Sequence, residues 1–79
     1  MTIKVFLTIN VVSGRARDIR DKIKSFQEVR LVCTIDHGTF DVVAFVEIES
    51  LEDYRTFSID KVGKLPYIED YTSFITLDG

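Results

Sequence analysis

Within 79 residues the spacing of apolar side chains switches between a strand repeat and a helix repeat twice over, and this double switch restricts the fold more than any other feature. Ile3, Val5, Leu7, Ile9 and Val11 fall on one face of the opening segment, and Lys4, Phe6, Thr8, Asn10 and Val12 on the other, the alternation of a strand. Ser13-Gly14 breaks it, with Ser13 placed to cap the next element by accepting from its free amides. From Arg15 to Phe26 the period lengthens: Ala16, Ile19, Ile23 and Phe26 make one helical stripe, with charges elsewhere. Val29 to Asp36 reads as a second strand with Val29, Leu31, Cys33 and Ile35 on one face. Asp41 to Glu49 reads as a third, with Val42, Ala44, Val46 and Ile48 aligned. Ser50-Leu51-Glu52-Asp53 resembles a capping box with Asp in place of the usual Glu or Gln. It opens a helix carrying Leu51, Tyr54, Phe57 or Ser58, Val62 and Leu65. Lys61 and Lys64 suit the negative end of that helix, and Pro66 stops it. Glu69 to Leu77 is the last strand.

Strand–helix–strand therefore occurs twice, a βαββαβ order. It predicts an α+β, ferredoxin-like split βαβ domain spanning residues 1–79, a four-stranded antiparallel sheet with both helices on one face. Two helices cover one side of a sheet, so a monomer should be polar on the other. Here that side holds Phe6, Val12, Val32, Val43 and Phe45 among Thr8, Asn10 and Thr34. Large exposed apolar patches mark association surfaces. The expectation is a homodimer, a dimeric α/β barrel, with Phe6, Thr8, Val32, Val43 and Phe45 at its interface. A hydrophobic content of 46% points the same way, since so small a chain buries only about two-thirds of its unfolded surface.

Charge and cysteine content exclude several classes. A net charge of −3 and a pI near 5.0 argue against nucleic acid as a direct partner, which needs clustered Lys and Arg. The one basic cluster (Arg15, Arg17, Arg20, Lys22, Lys24) is interrupted by Asp18 and Asp21 and reads as a solvated helix face. A single cysteine excludes an internal disulfide and fits a reducing compartment. No leader peptide is expected, since Lys4 breaks the opening run and its apolar residues alternate, and no apolar run approaches the ~18 residues of a membrane span. A soluble, cytoplasmic domain is expected.

Chemistry-bearing residues are few. One His and one Cys without ligand-spaced partners do not make a metal site. Cys33 falls on the apolar face of its strand and should be a small buried hydrophobe without an obvious base. His37 sits at a loop tip, and no phosphate loop or nucleotide fingerprint is present, so no cofactor is implied. The loop Gly38-Thr39-Phe40-Asp41 carries two readings. In one, Gly supplies positive φ and Asp caps a turn. In the other, the Asp41 carboxylate attracts an ammonium group while amides around Gly38 attract a carboxylate, together the outline of a free amino acid. Tyr71 and Ser73 on one face of the last strand, or Thr72 and Thr76 on the other, could add hydroxyls.

Four landmarks carry a family resemblance over the full length. They are the first strand ending in Ser13-Gly14 before a charged helix; Val29 and Cys33 leading into Gly38-Thr39-Phe40-Asp41; a third strand closed by Ser50-Leu51-Glu52-Asp53-Tyr54; and Lys64-Leu65-Pro66-Tyr67-Ile68 before a strand ending Ile75-Thr76-Leu77. Together they resemble the effector-binding (RAM) domain of the Lrp/AsnC regulators, standing alone. The resemblance implies dimers formed through the sheets, octameric or other higher assemblies, and no catalysis. It also implies an effector amino acid held between dimers by His37, Gly38, Thr39, Phe40 and Asp41, with Tyr71 and Ser73 on the last strand. Asp41 would position the amino group and Gly38 would give backbone contacts; Tyr71 is bulkier than the family's usual hydroxyl, and His37 replaces a common Thr. The regulators' helix-turn-helix is not expected here, since strand one begins at residue 3, so direct DNA binding is not expected and co-assembly with a full-length regulator is. A small dimeric α+β barrel enzyme, of the cofactor-free monooxygenase or isomerase type, is the alternative; it would need an acid–base group between sheet and helices, where this chain has aliphatic residues.

Overall fold

The computed structural model describes residues 2–78. Strands β1 (Ile3–Val11), β2 (Val29–Thr34), β3 (Val42–Ile48) and β4 (Ile68–Ile75) form one antiparallel sheet in the order β2-β3-β1-β4. Helix α1 (Ala16–Lys24) joins β1 to β2, and α2 (Leu51–Thr56) opens the connection from β3 to β4. This is the βαββαβ, ferredoxin-like arrangement expected. Alternation along β1 and β3 delivers Val5, Leu7, Ile9, Val11, Val42, Ala44, Val46 and Ile48 to one face, where they form a single core with Ile19 and Ile23 of α1 and with Phe57 and Val62 beyond α2.

The connection after α2 widens. A π-helical turn spans Phe57–Lys61, and a short 3₁₀ turn, Val62–Lys64, follows. The amide of Val62 donates to the carbonyl of Phe57, five residues back. In an α-helix two residues five apart point away from one another; the wider turn brings both onto the sheet side. Phe57 is thereby fully buried, and Phe26 meets it edge to face at 5.9 Å. Leu51, expected on the same stripe, is instead half exposed at the helix start.

The caps divide between expectation and correction. Ser50 accepts from the Asp53 amide at 3.1 Å, as a capping box requires. Ser50→Ala should cost about 1 kcal/mol, read as a lower urea midpoint at unchanged slope. Ser13 does not cap α1: it lies in the turn after β1, the N-cap position is Arg15, and no side chain caps this helix.

Strand β2 departs from the expected faces. Register shifts between Val29 and Leu31, so that Val29 opposes Val46 while Leu31 opposes Phe45. One extra residue, Arg30, reverses the alternation that follows. Val32 thus opposes Ala44 and packs against the core rather than on the open face, and Leu31 and Cys33 take the open face in its place. Cys33 is exposed, not buried.

The face away from the helices carries a continuous apolar row. Cross-strand partners run Leu31–Phe45–Phe6–Phe74 through all four strands, and the Phe6 and Phe45 rings lie 5.2 Å apart. Leu31 is 61%, Phe74 52% and Phe6 45% exposed. Beside this row Val43 is half-buried, whereas Thr8 is already covered within the chain, its hydroxyl donating to the Thr72 carbonyl at 3.2 Å.

Candidate functional site

The β2–β3 loop is fastened at its base and open at its tip. The Ile35 amide donates to the Asp41 carbonyl at 2.8 Å, and the Asp41 amide to the Ile9 carbonyl at 3.0 Å. The Val11 amide donates to Asp41 Oδ2 at 2.9 Å. Register also shifts between Asn10 and Val11 against β4. Asp41 therefore joins the loop to the end of β1, and its Oδ1 has no protein donor among the described residues. The turn reading of the aspartate is met by one oxygen, and the other accepts from no donor among the described residues.

At the tip, His37 Nδ1 and Asp36 Oδ2 lie 3.0 Å apart in full solvent. Gly38 adopts φ +148°, a region that favours glycine, and a Cβ there would crowd the Ile35 side chain at 3.3 Å. Thr39 is exposed and Phe40 half-buried.

Asp41 opens onto a cavity of about 370 Å³ lined also by Val11, Val12, Ser13, Gly14, Ala16 and Glu69. Gly14 turns the chain here at φ +84°. Glu69, at the start of β4, puts a second carboxylate on the wall. Sequence reading missed Glu69 and the β1–α1 turn, because nothing local joins residues 13, 41 and 69; only the order β3-β1-β4 does. His37, Gly38, Thr39 and Phe40 do not line this cavity.

Tyr71 and Ser73 are placed on the helix side of β4. The Tyr71 hydroxyl lies 2.9 Å from Ser58 Oγ, and Ser73 Oγ hydrogen-bonds the Tyr54 hydroxyl. These pairs stitch edge strand β4 to the helical connection, and neither Tyr71 nor Ser73 lines the Asp41 cavity. Thr72 faces the open side, and the Thr76 hydroxyl donates to the Lys4 carbonyl at 2.8 Å.

One backbone outlier among the described residues is hydrogen-bonded to the cavity wall. Tyr67, after Pro66, has φ +68°, a conformation that costs a non-glycine residue about 1–2 kcal/mol. The Val12 amide donates to its carbonyl at 2.8 Å, and the Arg15 guanidinium stacks 4.3 Å above its ring centroid. A larger cleft of about 430 Å³, with Glu28, Arg30, Glu47, Glu49 and Asp53 on its walls, lies at the other end of the sheet. Among the described residues no three His, Cys, Asp or Glu are grouped to hold a metal ion, and no helix is long and apolar enough to cross a membrane.

Comparison with known proteins bears on the fold and the family. No curated protein matches the chain by sequence. Among solved structures, the hypothetical protein PHS023 from Pyrococcus horikoshii superposes with a TM-score of 0.90 at 24% identity, covering 100% of this chain and 93% of that one. E. coli AsnC superposes at 0.90 with 19% identity over 98% of this chain and 52% of its own. The Neisseria meningitidis transcriptional regulator NMB0573, solved with L-Met, gives 0.84 at 15% identity over 96% and 50%. These likenesses establish a shared fold. The profile of the Lrp/AsnC ligand-binding domain matches residues 4–79, and the chain therefore belongs to that family.

Proposed function

We propose that this domain is a non-catalytic regulatory module that takes a free amino acid or similar small effector at the cavity beside Asp41, and that it works as a homo-oligomer. The observation that carries this reading is Asp41 itself. Its carboxylate is fixed by the Val11 amide at the edge of a cavity large enough for an amino acid, with a second carboxylate, Glu69, nearby. Two carboxylates favour an ammonium group. The relative solved with L-Met supports an amino acid as the class of ligand. Tyr71 and Ser73 would join the ligand only by exchanging their present partners, Ser58 and Tyr54.

The enzyme alternative has less support. The space between sheet and helices, where an acid–base group would be required, is filled by Val5, Leu7, Ile9, Val42, Val46 and their neighbours. For assembly, the open row Leu31–Phe45–Phe6–Phe74 is the face a second copy would cover, and higher assemblies or joint assemblies with a full-length regulator would be built from such dimers.

Melting in the presence of each of the twenty amino acids tests the reading. A ligand at a hundred times its Kd adds about 2.7 kcal/mol, several degrees for a domain of this size. The shift should be confined to one or a few amino acids. Asp41→Asn should abolish it, because the amide can still accept from Val11 but no longer attracts an ammonium group, so the unliganded melting temperature stays close to wild type. No shift from any amino acid would leave an oligomerisation module whose Asp41 serves the turn alone.

A further inference from the structure

We propose that Arg15, held in place by Tyr67, is the anchor for the effector's carboxylate, so that the site selects ligands with a free carboxylate and not amines in general. The inference rests on the reading of the Asp41 cavity as an effector site and extends it to the other end of the ligand. The loop glycine first expected to serve the carboxylate, Gly38, does not line that cavity. Arg15 also lies outside the lining, but it stands in the chain between two residues that form it, Gly14 and Ala16.

The electrostatic problem is plain. Asp41 and Glu69 give the cavity two negative groups, which repel a carboxylate, so a zwitterion needs a cation at the rim. Arg15 is the cation adjoining this turn, and its geometry suits the task. Its guanidinium carbon sits 4.3 Å from the Tyr67 ring centroid, over the ring, and a guanidinium has the fork of donors that bidentate contact with a carboxylate needs. Only Nη1 is engaged, donating to Asp18 Oδ2 at 3.1 Å in an exposed pair; the Nε–Nη2 edge has no protein acceptor among the described residues.

Tyr67 explains why the guanidinium is pre-set. The chain keeps a bulky aromatic at a left-handed position that glycine would occupy without strain, and that position carries its ring under Arg15. Its carbonyl is tied to the amide of Val12, itself on the cavity wall. Tyr67 is thus a positioning residue, acting through Arg15.

Titration calorimetry with free L-amino acids and with their α-carboxamides, which keep the ammonium group and lack the carboxylate, tests this directly. Wild type should prefer the free acid over its carboxamide. Arg15→Gln should weaken the free acid roughly ten- to a hundredfold and leave carboxamide binding unchanged. Arg15→Lys, which keeps the charge and loses the fork, should fall between. Tyr67→Leu should weaken the free acid less than Arg15→Gln does and spare the carboxamide. Arg15 is exposed, so its variants should keep the wild-type circular dichroism. Equal binding of acid and carboxamide by wild type, or of acid by wild type and Arg15→Gln, overturns the inference alone. Binding of no amino acid by wild type overturns the underlying effector reading and this inference with it.

Discussion

Phe57→Ala should lower the stability of the domain by about 3–5 kcal/mol, a large part of all that a chain of this size possesses. Phe57 is the largest fully buried side chain, wedged between the sheet and Phe26, and its position depends on the π-helical turn. Truncation removes the transfer free energy of a phenyl ring and leaves a void that neighbours fill only partly. Aliphatic side chains from β1 and β3 make one wall of that site, and a hydrogen-bonded sheet cannot shift to close the gap. Urea denaturation followed by far-UV circular dichroism should show a much lower midpoint, with part of the population unfolded near 37 °C. Phe57→Leu, which keeps most of the volume, should cost far less. A loss under 1 kcal/mol for the alanine variant would mean that the helical connection is not packed as described.

Phe6→Asp should turn the proposed dimer into a monomer of 9.1 kDa by sedimentation velocity at micromolar concentration. Phe6 lies at the middle of the apolar row, between Phe45 and Phe74. If a second copy covers this row, a two-fold axis places the substituted residue on both sides of the contact. Each carboxylate then loses water with no donor to replace it, at a cost of several kcal/mol per copy. Ile59→Asp, equally polarising but on the outer surface of the helical connection, should leave the dimer intact. A Phe6→Asp protein that keeps its wild-type mass would remove the open face as the association surface.

Most of the fold could be read from the chain because β1, β3 and α1 obey their periods without interruption: Val5, Leu7, Ile9, Val42, Ala44, Val46, Ile19 and Ile23 are all buried where the spacing puts them. The failures in helix and strand phase occur where one residue is added. The choice between Phe57 and Ser58 could not be made from an α-helical repeat, since the helix does not keep that repeat beyond Thr56. Arg30 looks like any exposed strand residue, and the bulge it makes is visible only against Val46 and Phe45. At the site, Asp41 was legible by its place after a loop glycine. Its partners were not, because Val11, Gly14 and Glu69 belong to three different segments. Tyr67 was invisible for the opposite reason: tyrosine is not a turn residue, and no propensity argument places it at positive φ.

The bulge in β2 determines more than the orientation of one strand. If Arg30 were paired in regular register instead of bulged, the downstream half of β2 would rotate by one step, turning Leu31 and Cys33 inward under the helices and Val32 and Thr34 outward. The outermost strand would then offer another chain a valine and a threonine, and the thiol would be sealed away. As built, a leucine extends the aromatic row to the very margin of the sheet, and the molecule's sole thiol stands in line with Val43, Thr8 and Thr72. Whether one residue, Arg30, is bulged or paired therefore decides which chemistry this border shows to its surroundings, with no change in composition.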